Sequence, residues 1–502
     1  MSRLTGAGEQ RGVEVIDEQG DTVPMPAVEQ PVPDAPRPGE LRPDEFRPDE
    51  LRPAEPKPSP FTGAIVKKVA IGLAVCLVAG ASYAGLRQIA DAPADPNAPV
   101  GASDPQTSTS PDDEAAAGVQ RATDGGAVLQ AMADAVKSKS RSDFLDTIDP
   151  RSTVFKTSAR TIYANLEQLP LGTFQFRYVS DDIGALTPDR TAELGGTASW
   201  LAQVEVSWQL VGYDVKPARA ILPVTFVTRD GKTYAASFSE RFVAGQRRPV
   251  WTLGALDVAK GDRSLVISLK SEAQARAYVT VADRAVTAVS KVWGKAWPQK
   301  VVVYLPAKQS QMEGVLGAAP NTYTQIAAVT MAELDQPQSG APVRIVANPK
   351  LFEELGKQGR RIVLTHETTH VASTATASPV PLWLAEGFAD YVAFTAVPVQ
   401  DESAAKELFK VVRGGKVPAA LPDTNAFAAS SADLSQAYES AWLACRLIAE
   451  REGQAQLVKF YRAVHASKST AGLADEFKSI LGMTEQEFVV EWQKYLKRLA
   501  GA

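Results

Sequence analysis

The sequence predicts an α+β protein in which two folded domains follow a long N-terminal segment that lacks a globular pattern. Apolar residues make up 45% of the 502 positions, which suits a globular protein, and a chain of this length exceeds what one hydrophobic core can hold. Alternating apolar residues are concentrated between Phe174 and Phe238, whereas helical spacing prevails after Val346. The formal net charge of −5 excludes the strongly basic surface of nucleic-acid-binding proteins, so no nucleic-acid partner is expected.

Residues 1–63 are predicted to be a disordered, proline-rich tail in the cytoplasm. Twelve prolines lie between Pro24 and Pro60, and large apolar residues are few. A five-residue repeat, ELRPD-EFRPD-ELRPA, covers residues 40–54, and a proline at every fifth position favours an extended chain over a continuous helix. Two functions remain open for this repeat, a docking segment for a cytoplasmic partner and a solvated spacer.

Residues 64–87 are predicted to form a single transmembrane helix in the cell membrane, in contact with the lipid bilayer. Positions 69–86 carry no charge over eighteen residues, which is close to the length needed to span a hydrocarbon core of ~30 Å. Lys67 and Lys68 precede this run and only Arg87 follows it, so the positive-inside rule places the N-terminus in the cytoplasm and the C-terminal domains outside. Cleavage of the span would instead release those domains.

Residues 88–125, rich in Ala, Pro, Asp, Ser and Thr, are predicted to be a flexible linker to an α+β cone domain at 126–258. In this domain helical spacing ends near Pro150, alternating strands follow, and Asp230-Gly231 predicts a tight hairpin turn. This order of elements resembles the cystatin-like cone fold of the SnoaL and nuclear-transport-factor type, which can hold a ligand. The domain contains no His or Cys, so we expect a spacer or a substrate-presenting module.

Residues 259–502 are predicted to form a second α+β domain, with a mixed sheet first and a helical half after it. Four short apolar strands are predicted, at 265–267, 300–305, 326–329 and 343–346. A long helix with one apolar stripe is predicted at 271–293, between the first two strands. From the fourth strand onward the chain is predicted to be helical to its end.

Three residues with reactive side chains are given no chemical role. Cys76 lies in the predicted membrane span, so it is not expected to pair with Cys445. Cys445 is expected to be a small buried core residue. His465, in KFYRAVHASK, is expected at the surface or at a helix end and is not predicted to bind a metal.

Two of the three histidines, His366 and His370, lie four residues apart in the segment RRIVLTHETTHVAS. On a helix this spacing puts both imidazole rings on one face, one turn apart, so that both can bind one ion. Glu367 lies about 100° around the helix from the first histidine. From that position it need not bind the ion and can instead act as a general base on a water molecule.

The third ligand is expected from the following segment, PLWLAEGFADYVA, where Glu386 stands sixteen residues after His370. Pro379 and Pro381 are predicted to end the first helix and allow a turn into a second one. Asp390 follows Glu386 by one helical turn, on the same face, and is predicted to accept the outer ring hydrogen of a ligand histidine. Three protein ligands leave one coordination position open, as in catalytic zinc sites.

The segments HETTH at 366–370 and WLAEG at 383–387 resemble the zinc motif of gluzincin peptidases, and among these the bacterial peptidase-MA-like domains. The resemblance covers about half of the chain and implies a zincin-like domain with Zn²⁺ as cofactor and a peptide or protein as substrate. It implies His366, His370 and Glu386 as the zinc ligands and Glu367 as the residue that activates water.

The same resemblance implies a catalytic tyrosine on a later helix, in a segment that matches Ala437-Tyr438-Glu439-Ser440-Ala441. Tyr438 would stabilise the tetrahedral oxyanion, although as one of twelve tyrosines it could equally serve amphipathic packing. Exopeptidase relatives carry a glycine-rich acidic motif that holds the substrate amine. No clear equivalent is present, so an endopeptidase is favoured over an aminopeptidase.

The predicted function is that of a membrane-anchored, zinc-dependent peptidase that hydrolyses peptide bonds outside the cytoplasmic membrane. Its substrate is expected to add as a strand to residues 343–347, just before the motif helix. The alternative is a non-catalytic metal-binding ectodomain that binds a cell-envelope ligand. Glu367 separates the two, because a pure binding module has no need of a general base.

Overall fold

The computed structural model describes residues 111–239, 245–333, 340–428, 431–467 and 472–502. The predicted cytoplasmic tail with its repeat, the predicted membrane span at 64–87 and the linker up to residue 110 lie outside these ranges. Among the helices of the described residues, none is both long and apolar enough to cross a bilayer. Membrane anchoring therefore stays a prediction.

The first half of the described chain consists of helices followed by an antiparallel sheet, as the sequence predicts. The elements are α1 Pro111–Lys137, α2 Arg141–Asp146, α3 Thr153–Gln168, β1 Leu171–Ser180, α4 Pro188–Leu194, β2 Ala198–Leu210, β3 Ala218–Arg229 and β4 Lys232–Ser237. The four strands pair in the order β1-β2-β3-β4. The predicted hairpin turn is confirmed, since Asp230 and Gly231 join β3 to β4 with φ values of 51° and 75°, as a turn with two left-handed residues requires.

The predicted flexible linker is wrong for residues 111–125, which belong to α1. Asp112, Asp113 and Glu114 occupy the first turn of this helix, where acidic side chains favour the positive end of the helix dipole. Farther along the helix, Arg121 Nε lies 2.5 Å from Asp181 Oδ2, just beyond β1. The composition of residues 111–125 is typical of linkers, so it did not indicate that a helix starts here and contacts Asp181.

The second half of the described chain has a mixed sheet and then helices, which confirms the predicted layout. The elements are β5 Asp257–Lys260, β6 Ser264–Ser268, α5 Glu272–Trp293, β7 Val301–Leu305, α6 Gln309–Leu316, β8 Ala328–Ala332, β9 Val343–Ala347, α7 Leu351–Glu354, α8 Lys357–Ser373, α9 Leu382–Ala396, α10 Asp401–Ala404, α11 Lys406–Arg413, α12 Leu434–Glu452, α13 Gln454–Ala466, α14 Gly472–Leu481 and α15 Glu485–Ala500. The domain boundary predicted between residues 258 and 259 falls inside β5, which the sequence analysis missed.

The strand order of the second sheet corrects the predicted position of substrate binding. The order is β5-β6-β7-β9-β8, so β9 pairs with β7 on one side and with β8 on the other. Residues 343–347 therefore form an internal strand whose backbone groups are already engaged, and strand addition there is excluded. The edge next to the motif helix is β8, a relationship that strand patterns along the sequence do not reveal.

A buried ion pair joins the two sheets beside this edge. The guanidinium of Arg344, on β9, donates two hydrogen bonds to Asp214, in the loop between β2 and β3, at 2.6 and 2.8 Å. Its Nε lies 2.9 Å from Oε2 of Glu333, which directly follows β8, and Tyr304 donates to the other oxygen of Glu333 at 2.9 Å. These contacts fix the end of β8 against the first half of the chain.

Candidate metal centre

Two helices and one strand carry the side chains of the site. The motif helix α8 ends where Thr374 takes a left-handed conformation with φ of 53°. Pro379 and Pro381 lie in the turn before α9, as predicted, but they do not end α8, which stops six residues before Pro379. Strand β8 packs beside α8 and brings Thr330 to the motif.

The structure brings the three predicted ligands together. His366 Nε2 lies 3.0 Å from His370 Nε2 and 3.2 Å from Glu386 Oε2, and His370 Nε2 lies 3.4 Å from the same oxygen. All three side chains are buried, and one ligand atom from each lies within 4.8 Å of the others. Nitrogen and carboxylate atoms at such distances can surround one small cation.

An unsatisfied carboxylate oxygen of the cluster fits a metal site. Within the described residues, Glu386 Oε1 is buried and has no hydrogen-bond partner. Leaving a buried polar atom unpaired costs about 1–3 kcal/mol, so such atoms call for an explanation. Two imidazoles and one carboxylate are the donor set of one class of catalytic zinc sites, and the residues present fit that ion.

Asp390 supports the first ligand from behind. The Nδ1–H of His366 donates to Asp390 Oδ1 at 2.8 Å, which leaves Nε2 to face His370 and Glu386. Burial by itself would lower the pKa of His366, but the carboxylates of Asp390 and Glu386 outweigh it and raise the pKa to about 10. Zinc binding therefore competes with a proton at this ring.

Glu367 is buried next to the three ligands without belonging to their group. Thr330 Oγ1 donates a hydrogen bond to Glu367 Oε2 at 2.5 Å, while Oε1 has no hydrogen-bond partner among the described residues. Burial raises the pKa of Glu367 above its ordinary value. Sequence reasoning missed Thr330, although a single hydroxyl within the apolar run AAVTMA was a signal that could have identified it.

The other singled-out residues lie outside the ligand cluster. Tyr438 is buried on α12, and its ring packs edge-on against Phe427 at a centroid distance of 5.2 Å. This is a packing contact, and the oxyanion role of Tyr438 stays a prediction. His465 lies near the end of α13, with Nδ1 2.7 Å from Ser378 Oγ, and Cys445 is buried, both as predicted.

Comparison with known proteins finds similarity in structure only. No protein-family model matches the chain, and no curated protein matches it. An M1 zinc metallopeptidase from Deinococcus radiodurans is 16% identical, with a TM-score of 0.27 over 53% of this chain and 58% of that one. A mutant of such an enzyme from the same organism, bound to a Tyr-Ser-Ala substrate, is 15% identical, with a TM-score of 0.26 over 49% and 51%.

Native yeast LTA4 hydrolase is 15% identical, with a TM-score of 0.29 over 55% of this chain and 43% of that one. The chain thus spans only about half the length of these solved structures. Likeness at this level assigns neither a family nor an activity to the chain.

Proposed function

We propose that the chain is a zinc-dependent peptidase that acts outside the cytoplasmic membrane, to which residues 64–87 anchor it. The observation that carries this proposal is the convergence of His366, His370 and Glu386 in a buried cluster, with Asp390 behind the first histidine. This donor set, with its supporting carboxylate, is typical of catalytic zinc sites in hydrolases.

The three converging side chains would hold the ion. When bound, zinc supplies an acidified water and a Lewis acid for the carbonyl of the substrate. Glu367 takes a proton from the water and passes it to the leaving amine, through the carboxylate oxygen that Thr330 does not engage. Tyr438 donates a hydrogen bond to the oxyanion, which adds to the stabilisation of the tetrahedral state.

An extended peptide is proposed to bind along the outer edge of β8. This strand is the last in its sheet among the described residues, and its Thr330 contacts Glu367. Arg247 donates a hydrogen bond to Ala332 O, and Arg219 N donates to Glu333 O at 3.3 Å, so the far end of the edge is covered. Strand addition would use the backbone between Ala328 and Met331, where the residues are 0–7% exposed.

The carboxylate at the end of β8 is not available to bind the free amine of an aminopeptidase substrate. An aminopeptidase needs an acidic group that is open to the free amine of its substrate. Glu333 does not meet this need, because Tyr304 donates to one of its oxygens, Arg344 forms an ion pair with the other, and the side chain is buried. Arg344 also donates a hydrogen bond to Asp214, so Glu333 belongs to a buried ion-pair network and is not open to a substrate amine.

Replacing Glu367 by Gln in the full-length protein tests the proposal. The variant should keep one zinc per chain and lose about 10²–10⁴-fold in turnover of a mixed peptide library followed by mass spectrometry. Glu167→Gln, an exposed change on α3, is the matched control and should behave as the unmodified protein. Equal turnover by the Glu367 variant would refute the peptidase mechanism. Zinc binding without hydrolysis by the unmodified protein would favour the metal-binding ectodomain.

A further inference from the structure

We propose that Thr330 is a positioning residue for Glu367, whose hydroxyl holds one carboxylate oxygen so that the other is the one that transfers the proton. The proposal rests on the peptidase function put forward above. It assigns a role in that reaction to the edge strand β8 itself, beyond binding a substrate backbone.

The geometry of the contact is that of a strong, directed hydrogen bond. Thr330 Oγ1 lies 2.5 Å from Glu367 Oε2 and 3.3 Å from the backbone oxygen of Glu367. A hydroxyl has one hydrogen, and the shorter distance assigns it to the carboxylate, within the range for bonds from a hydroxyl to a charged oxygen. Oε2 is therefore engaged, whereas Oε1 has no partner within the described part of the chain.

Both acceptors of the Thr330 hydroxyl belong to Glu367. Thr330 is 2% exposed and lies between Val329 and Met331 in a strand with otherwise apolar side chains. Burying a hydroxyl without a partner costs about 1–3 kcal/mol, and Val would fill the same volume without that cost. The hydroxyl is thus explained by the carboxylate that it contacts.

Loss of this contact should change the rate of hydrolysis without changing the affinity for substrate. Side chains alternate along a strand, and that of Thr330 points to α8, whereas a peptide added to β8 would bond to backbone groups of its outer edge. Removing the hydroxyl should therefore leave the affinity for substrate in place. It should instead let the Glu367 carboxylate rotate, and a misplacement of about 1 Å can cost on the order of 10²-fold in rate.

Thr330→Val and Thr330→Ser in the full-length protein test the proposal. Thr330→Val keeps the shape without the hydroxyl and should lose about 10–10²-fold in kcat, with KM and zinc content unchanged. Thr330→Ser restores the hydroxyl and should recover most of kcat. Thr225→Val is the matched control, because Thr225 is also a buried strand residue and its hydroxyl has no partner among the described residues.

A second measurement needs neither zinc nor substrate. In the metal-free protein, Thr330→Val should lower the urea midpoint of unfolding more in the presence of Glu367 than in the Glu367→Gln background, because a hydrogen bond to a carboxylate is stronger than one to an amide oxygen. Full kcat in Thr330→Val together with equal midpoint shifts would overturn the proposal, and loss of activity in Glu367→Gln would then still support the peptidase. If no hydrolysis is found at all, the midpoint comparison alone decides the role of the contact.

Discussion

Asp390 Oδ1 lies 2.8 Å from Nδ1 of His366. Asp390 follows the candidate ligand Glu386 by one turn of the same helix, α9. A single helix therefore supplies both a ligand and the carboxylate that orients another ligand. Because this carboxylate raises the basicity of the ring and fixes its tautomer, it should govern how tightly the site binds zinc.

Asp390→Asn should weaken zinc binding by about 10–100-fold, since it keeps the shape of the side chain and removes its charge. Titration of the protein against a chelator of known zinc affinity measures the effect. Asp475→Asn, at an exposed position on α14, serves as the control and should leave the affinity unchanged. An unaltered affinity in the Asp390 variant would show that His366 is oriented by other contacts.

Tyr438→Phe should lower kcat by about 10²–10³-fold and leave KM nearly constant, as expected for a hydrogen bond made only to the oxyanion. The edge-on contact of the ring with Phe427 is kept in this variant, so the packing of the ring should not change. Steady-state kinetics on one cleaved peptide provides the measurement. A variant with full kcat would leave packing as the only role of Tyr438.

Gly387→Ala should destabilise the protein and impair zinc binding together. A Cβ atom at Gly387 would lie 2.2 Å from the backbone oxygen of Ala441, so α9 and α12 would have to separate. Overpacking of this kind costs about 1–3 kcal/mol, and Glu386 is the adjacent residue. Gly356→Ala, where an added Cβ meets nothing within 4 Å, is the control. Thermal unfolding and zinc titration of the two variants should differ, and identical results would argue against a tight contact.

Glu439 should make the stability depend on pH. Burial raises its pKa to about 8 from an ordinary 4.5, although the backbone N–H of Leu408 donates to its carboxylate at 2.6 Å. Because the folded pKa lies above the unfolded one, the neutral carboxyl favours the fold, and its contribution is full below pH 4.5 and is lost as the pH rises through 8.

Removing this titration with Glu439→Gln should therefore help most at alkaline pH. The free energy of unfolding of the variant, relative to that of the unmodified protein, should increase from pH 5 to pH 8 and then level off. Urea unfolding at a series of pH values gives the comparison. Two parallel pH curves would mean that Glu439 titrates normally in the folded protein.

Local spacing explains why much of the site could be predicted. The periodicity of 3.6 residues per turn places His366 and His370 on one face of their helix, and Glu386 and Asp390 on one face of the next. The prolines between the helices marked the turn. The hairpin at Asp230-Gly231 was predicted for a similar reason, since few dipeptides favour two left-handed residues.

Contacts between distant parts of the chain could not be read in this way. Thr330 and Glu367 are 37 positions apart, and nothing in the spacing shows that β8 lies beside α8. Residues 343–347 are internal because β9 lies between β7 and β8 in the sheet, although β8 precedes β9 in the chain. Sequence patterns do not indicate this order. The helical start of α1 was concealed because its Ala, Asp and Pro residues are also common in linkers.

Zinc content of the purified full-length protein tests the account most directly, compared with that of His366→Ala, Glu386→Ala and His465→Ala. We predict one tightly bound zinc per chain in the unmodified protein and in His465→Ala, and loss of tight binding in the other two variants. Full zinc binding by Glu386→Ala, or no zinc in the unmodified protein, would contradict the account.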